Sequence, residues 1–416
     1  MPEGRRRPPL IALDEALERL LVRAVALTDI ESVSTFDADA RVLARSVVSG
    51  LQVPPHDNSS MDGYAVHSGS VTAPGVELAV SQCIPAGRLG EPLAPGSAAR
   101  IFTGGPMPAG ADAVVMQEDT EALDGGARVR IHAVPAPGQW VRRAGEDVAR
   151  DAVVLKKGER LSPASLGLAA GVGMGQLEVT RRPRVALFST GDELVMPGAI
   201  EPAHMPPGAI YNSNRFFLAA LLRRLGCVVN DFGAVPDRLG ATVLALKSAA
   251  REHDLILTSG GVFGSEADHV KPAVERLGQM QSWQIAIKPG KPFAYGHVAR
   301  PEGATHFIGL PGNPVSSFVA FLLLVRPFLL RLQGASRLDV PALALRADFD
   351  LPQPGQRREF LRARRNAQGG LDLFANQSSG VLTSVSWADG LIDLPAGSAI
   401  ARGDTVRFIP FAEWLA

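Results

Sequence analysis

Only two cysteines occur in the 416 residues, Cys83 and Cys227, far apart and outside any CxxC. That scarcity argues against a disulfide framework and a cysteine-based zinc site. The eight histidines form no HExxH or HxxxH pair, so the usual helical zinc motif is missing too. An excess of one charge is also lacking, since 42 Lys and Arg face 42 Asp and Glu. The chain therefore has no global attraction for nucleic acid, and no such partner is expected. Aromatic residues stand at 6%, while Gly (43) and Pro (32) abound, a balance that points to many turns and loops. The longest apolar run, residues 318–325, falls well short of the roughly 20 residues that cross a bilayer. Arg5, Arg6 and Arg7 resemble the start of a signal peptide, but Asp14, Glu15 and Glu18 follow where an apolar stretch is needed. A cytoplasmic protein with no membrane association is expected.

What is present suits several folded units, two to four at roughly 100–200 residues each. With 46% hydrophobic residues, the chain can bury several cores. Leu10, Ile11, Leu13, Leu17, Leu20 and Leu21 recur at helical spacing and predict a helix to about Val25. A second short helix is expected over 38–47. Short apolar runs cut by Pro and Gly, at 76–80, 98–102, 113–117 and 127–132, predict a small β domain. A helix after Ser162 is expected, with Ser162 as cap and Pro163 at its first position. Between 183 and 334, strands at 184–190, 227–235, 254–259, 284–288 and 306–310 alternate with helices at 214–225, 239–252, 268–277 and 315–332. That alternation predicts an α/β domain with a mostly parallel sheet. Asn212 or Asn214 can cap the first of these helices, Gly226 suits its C-terminal stop, and Pro327 is expected to kink the last. Strands at 358–364 and 371–374 predict a closing β domain. The fold class is multidomain α/β plus β: a helical/linker unit (1–47 and 142–182), an inserted N-terminal β domain (48–141), the α/β domain (183–334) and a small C-terminal β domain (335–416).

In an open α/β sheet, ligands bind beyond the carboxyl ends of the strands. Three strands here end in suggestive loops: Ser189-Thr190-Gly191-Asp192-Glu193, Ser259-Gly260-Gly261-Val262 and Pro311-Gly312-Asn313-Pro314. Glycines let backbone approach a ligand, and a helix starting near Val315 would offer free N–H groups to an anion. Lys288 and Lys291 sit on a turn stiffened by Pro289 and Pro292. Together these predict a phosphate- or oxyanion-binding surface. Acids gather at loop positions as well: Asp192, Glu193, Asp237, Glu266 and Asp268, with Asp62 and Asp147 upstream. Taken singly, Asp237 and Asp268 read better as helix caps, Asp62 as a turn residue before Gly63, and Asp147 as a surface ion pair with Arg142 or Arg143. Two carboxylates about 4 Å apart repel by roughly 4 kcal/mol at an effective dielectric near 20. A hard cation such as Mg²⁺, shared with substrate phosphates, relieves that repulsion. The residues alone thus point to a Mg²⁺-assisted enzyme acting on a phosphorylated ligand.

Several strings together resemble the MoeA family of molybdopterin molybdenumtransferases. They are PHDNSSMDGYAV (55–66), FTGGP (102–106), AVVMQE (113–118), RAGED (143–147), FSTGDEL (188–194), TSGGV (258–262), IKPGKPFAYG (287–296) and GLPGNPVS (309–316). They occur in the family's order and cover nearly the whole chain. The resemblance implies a homodimer of four-domain subunits, with sites shared between subunits. It also implies a central molybdopterin-binding α/β domain of the kind shared with MogA-type adenylyltransferases and gephyrin. The implied reaction takes adenylylated molybdopterin and molybdate, inserts molybdenum into the dithiolene and releases AMP with Mg²⁺ present. Essential acids carry over to Asp62, Asp147, Glu193, Asp237 and Asp268, with Asp237 and Asp268 as metal ligands. Lys288 and Lys291 would face molybdate or a terminal phosphate. Thr190, Gly191, Ser259, Gly260, Gly261, Pro311, Gly312, Asn313, Pro314 and Ser316 would cradle the pterin and its phosphates. Arg358, Arg362 and Ser379 could add oxyanion contacts. Implied partners are a MogA-type adenylyltransferase and molybdoenzyme-maturation proteins. The alternatives are a non-catalytic molybdopterin-binding scaffold or carrier, and a tungstate-preferring variant. One departure stands out: Phe263 replaces the family's usual serine after Gly-Gly-Val, with Ser265 two places on.

Overall fold

The computed structural model describes residues 10–235, 238–261 and 269–415. A seven-stranded sheet forms the centre, in the order Leu10–Ile11, Gly278–Ile285, Pro292–Arg300, Gly303–Leu310, Leu255–Ser259, Arg184–Thr190 and Val228–Val235. Four of its six neighbouring pairs are parallel, and two are antiparallel. Side chains alternate along its inner strands, because successive residues of a strand point to opposite faces. Val185, Leu187, Leu255 and Leu257 join one buried cluster, with helices Leu13–Leu21, Asn214–Arg224 and Pro314–Leu332. Ala186, Phe188 and Ile256 face the opposite layer, under helices Leu239–Ala250 and Val270–Leu277. Burying both faces explains why these strands read as continuous apolar runs.

The helix Pro314–Leu332 is long and apolar enough to cross a membrane by length and composition, and 94% of its 18-residue apolar stretch is buried inside the protein. It is a core helix. Pro327 does not break it, since a π-helical stretch at Phe321–Val325 precedes the proline. A widened turn is one way to seat a ring that carries no N–H.

A six-stranded sheet, built from strands between Gly63 and Ile131, forms a separate β unit. A second six-stranded sheet closes the chain, in the order Ile287–Lys288, Arg358–Arg365, Gly390–Leu394, Thr405–Pro410 and Leu343–Arg346, with Leu371–Leu373 paired to the flank of Arg358–Arg365. Ile287–Lys288 pairs in parallel with Arg358–Glu359, so this sheet docks directly beside the central one.

Three expectations are corrected. Residues 38–47 form no helix: Leu43 and Ala44 donate their N–H groups to Glu159 and Glu178, and Val42 accepts from Thr180. Those bonds leave none for an i to i−4 ladder. The first helix begins at Leu13 and ends at Leu21, because Leu10–Ile11 pairs as an edge strand with Gln284 and Ile285. The expected strand at 284–288 is split, with Gly278–Ile285 forming a hairpin with Pro292–Arg300 and Ile287–Lys288 turning to the C-terminal sheet. Capping at Ser162 holds, its hydroxyl accepting from the N–H of Ser165 at 3.2 Å.

Candidate functional site

Two loops at the carboxyl ends of parallel strands are tied to the start of the helix Asn214–Arg224 by one side chain. Asn214 Nδ2 donates to Ser259 Oγ and to the Gly312 carbonyl, each at 2.7 Å. Asn212 takes the helix-capping role instead, its Oδ1 accepting from the Arg215 N–H at 3.3 Å. Gly260 donates its N–H to the Leu310 carbonyl at 3.0 Å. Gly261 has φ +65°, and an added Cβ would lie 2.5 Å from Thr190 Oγ1, so the approach of these two loops requires glycine. Gly191 is equally constrained, with φ +128° and the Glu193 carboxylate packed where a Cβ would stand. Ser189 Oγ, Thr258 Oγ1 and Asn212 Nδ2 are buried without a hydrogen-bond partner among the described residues. Unpaired buried polar atoms at strand ends suit a polar ligand.

The cationic part of the site lies where the central and C-terminal sheets meet. A cavity of about 300 Å³ is lined by Lys288, Lys291, Asn313 and Ser316 from one side, and by Arg357, Gln377, Ser378 and Ser379 from the other. Lys288 Nζ bonds Glu359, with oxygens at 3.1 and 3.3 Å, and the Glu359 side chain is only 9% exposed. Asn313 Nδ2 donates to Ser379 Oγ at 3.2 Å. The N–H of Val315 is not free, since it donates to the Ser379 carbonyl at 3.0 Å. The helix start therefore anchors the C-terminal loop, and the positive charge at the cavity comes from side chains. A larger cavity, about 690 Å³, lies in the C-terminal sheet, but its Arg358 and Arg407 are balanced by Asp393 and Asp404. The smaller one carries the net positive charge.

Asp62 belongs to the N-terminal β unit. Its Oδ1 accepts from both the N–H and the hydroxyl of Thr103, each at 2.7 Å. These two bonds hold its carboxyl below the usual carboxylate range. Thr103→Val should therefore let the Asp62 carboxyl titrate closer to its ordinary value, and Thr103→Ser should restore the shift. An NMR titration of the Asp62 side chain reads this, and an unmoved Thr103→Val curve would show that the hydroxyl contributes nothing. Asp147 is exposed, with its N–H on the Val53 carbonyl. Arg143 pairs with Asp57 at 2.7 Å rather than with Asp147.

Comparison with known proteins decides the family. Residues 11–173 match the description "MoeA N-terminal region (domain I and II)", 186–331 match "Probable molybdopterin binding domain", and 344–411 match "MoeA C-terminal region (domain IV)". The chain is 36% identical over 412 residues to the molybdopterin molybdenumtransferase of Haemophilus influenzae, covering 98% of this chain and 100% of that one. The chain belongs to the MoeA family. It is also 38% identical over 371 residues to molybdopterin molybdenumtransferase 2 of Mycobacterium tuberculosis, covering 86% and 89% of the two chains. A crystal structure of the moeA protein from Pyrococcus horikoshii OT3 matches with a TM-score of 0.82 at 28% identity, over 97% of this chain and 100% of that one.

Within this MoeA-family chain, the fold brings together Thr190, Gly191, Ser259, Gly260, Gly261 and the turn from Pro311 to Pro314. It likewise gathers Lys288, Lys291, Ser316 and Ser379 at the cationic cavity. Two arginines behave differently from expectation. Arg358 is held by Asp393 at 2.7 and 2.8 Å and by Asp14 at 3.2 Å, on the larger cavity. Arg362 is 1% exposed, with its guanidinium bonded to protein, so it makes no direct contact with a ligand in the cavity. Arg357, passed over in the sequence, supplies the guanidinium that does line it. Asn214 was also missed as a site residue, although an asparagine beside a capping asparagine signals a second task. Asp237, Asp268, Phe263, Ser265 and Glu266 lie outside the described residues. Among the described residues, no group of three or more His, Cys, Asp and Glu could hold a metal.

Proposed function

We propose that this MoeA-family protein is a molybdopterin molybdenumtransferase, which takes adenylylated molybdopterin and molybdate, inserts molybdenum into the dithiolene and releases AMP. The observation that carries this reading is the cationic cavity at the edge of the glycine-rich strand ends, lined by Lys288, Lys291 and Arg357. Three cations around one small cavity suit a tetrahedral dianion, and charge-assisted hydrogen bonds are the strong ones. Gly260, Gly261 and Gly312 leave room for the pterin and its phosphates beside that cavity. Ser316, Ser379 and Asn313 supply neutral donors that orient oxyanion oxygens.

The acids act on the phosphoanhydride end. Glu193 stands at the strand-end loop, while Asp62 and Asp147 come from the N-terminal part of a second subunit in a homodimer. Thr103 keeps Asp62 ionised and fixed. Asp237 and Asp268, which lie outside the described residues, would hold Mg²⁺, an ion that needs only one or two protein carboxylates. When bound, it offsets charge on the phosphates as AMP leaves. A MogA-type adenylyltransferase supplies the substrate, and molybdoenzyme-maturation proteins take the product.

The test is reconstitution. Purified protein given adenylylated molybdopterin, Mg²⁺ and molybdate should yield cofactor that activates a molybdenum-free apoenzyme. Tight binding of the pterin with no activating product under any oxyanion would replace the enzyme with a carrier.

A further inference from the structure

Arg362 is among the largest fully buried side chains in the protein, at 1% exposure. Its Nε donates to Ser384 Oγ at 3.1 Å, Nη1 to the Phe360 carbonyl at 3.1 Å and Nη2 to the Ser378 carbonyl at 3.3 Å. Its main chain is clasped by Gln377, whose Oε1 accepts from the Arg362 N–H at 2.9 Å and whose Nε2 donates to the Arg362 carbonyl at 3.0 Å. Every one of these partners is neutral. Among the described residues no carboxylate forms an ion pair with Arg362; Glu359, whose charge acts on it, is engaged by Lys288. Removing a charge from water costs several kcal/mol, so buried charges are normally paired. Burial pushes this guanidinium down to about 10, and it stays protonated at neutral pH.

The residues that Arg362 holds, Gln377 and Ser378, form the wall of the cationic cavity together with Ser379. Among the described residues the charge around that wall is lopsided: Lys288, Lys291, Arg357 and Arg362 stand against Glu359. We infer that Arg362 is a positioning residue for the oxyanion cavity, fixing the Gln377–Ser379 wall from behind and leaving a buried positive charge that a bound tetrahedral dianion offsets. This rests on the reading of the cavity given under the proposed function. It assigns the oxyanion preference partly to a side chain that never touches the ligand.

The test uses two variants of the full-length protein and molybdate as the probe, with binding followed by calorimetry from about pH 6 to about pH 9. A lysine placed at this buried position titrates low, because burial disfavours its charged form. Glu359 is the charged group acting on the site, while Ser384 and Ser378 from the neighbouring segments bring neutral groups only. Arg362→Lys should bind molybdate near wild-type strength at pH 6 and about 10-fold more weakly at pH 9. Wild type should show no such slope, and Arg362→Met should bind weakly throughout. A purely structural arginine would give an Arg362→Lys curve parallel to wild type, which overturns the inference, as does wild-type affinity in Arg362→Met. Should Arg362→Met fail to fold, the Arg362→Lys slope alone decides. If wild type does not bind molybdate, or binds it regardless of Lys291→Ala, the reading of the cavity itself fails and the inference falls with it.

Discussion

Lys291→Ala should weaken molybdate binding roughly 10- to 100-fold, the worth of one hydrogen bond to a charged group. Lys291 is the cleaner of the two lysines to remove, because among the described residues no carboxylate pairs with it. Lys288→Ala would also strand the buried Glu359 carboxylate, so its effect mixes binding with stability. Combining both substitutions should extend the loss to roughly 10²–10⁴-fold, with departures from additivity because the two share one ligand. Calorimetry with molybdate reads the result directly. Unchanged affinity in the double variant would move the oxyanion site elsewhere.

The second large effect concerns the joint between the N-terminal part and the central sheet. Arg181 donates through Nη1 and Nη2 to Asp254 at 2.7 and 2.9 Å, and through Nε to Asp29 at 2.6 Å. Its position is decisive: it follows the strand Gln176–Thr180 and precedes Arg184–Thr190. Asp254 is 8% exposed and accepts from the Arg184 N–H as well. Arg181→Met leaves that carboxylate without its ion-pair partner and should lower stability by about 3 kcal/mol. The sign of the pH dependence follows. Burial pushes the Asp254 carboxyl up, but the Arg181 hydrogen bonds and the Arg184 N–H outweigh it, so its folded value lies below the ordinary one. A lowered carboxyl stabilises the fold above its unfolded value near 4, and that contribution disappears as pH falls through the folded value. Urea midpoints should therefore differ most between wild type and Arg181→Met near neutral pH, and converge below about pH 4. A gap that widens in acid would contradict this assignment.

How much the sequence discloses depends on how each residue is buried. Arg184–Thr190 and Leu255–Ser259 are covered on both faces, so their apolar runs are unambiguous and their ends mark the glycine-rich loops. Gly278–Ile285 mixes exposed and buried positions in the run GQMQSWQI, which carries too little periodicity to announce a strand. The two prolines at 289 and 292 suggested only a turn, yet Pro292 opens the next strand. Residues 38–47 contain apolar residues at near-helical spacing, but their backbone bonds go to neighbouring segments, and tertiary pairing overrides the local pattern. The glycines of the candidate site were legible because they stand at loops after strands, whereas Lys288 lies in the short strand Ile287–Lys288 and only Lys291 stands on the turn. Arg357 was not, since choosing between adjacent arginines needs the strand register, and a one-residue shift moves a side chain to the other face. Arg362 offered the right charge in the right strand, while its burial behind the wall is a property of packing that no spacing reveals.

As proposed, the cationic cavity and the glycine-rich strand ends form one molybdenum-insertion site. AMP release from adenylylated molybdopterin with Mg²⁺, compared with and without molybdate, tests it most directly. The account predicts release that requires molybdate in wild type and that needs a higher molybdate concentration in Lys291→Ala. Release that proceeds equally without molybdate, or no release from a folded protein that binds the pterin, would contradict it.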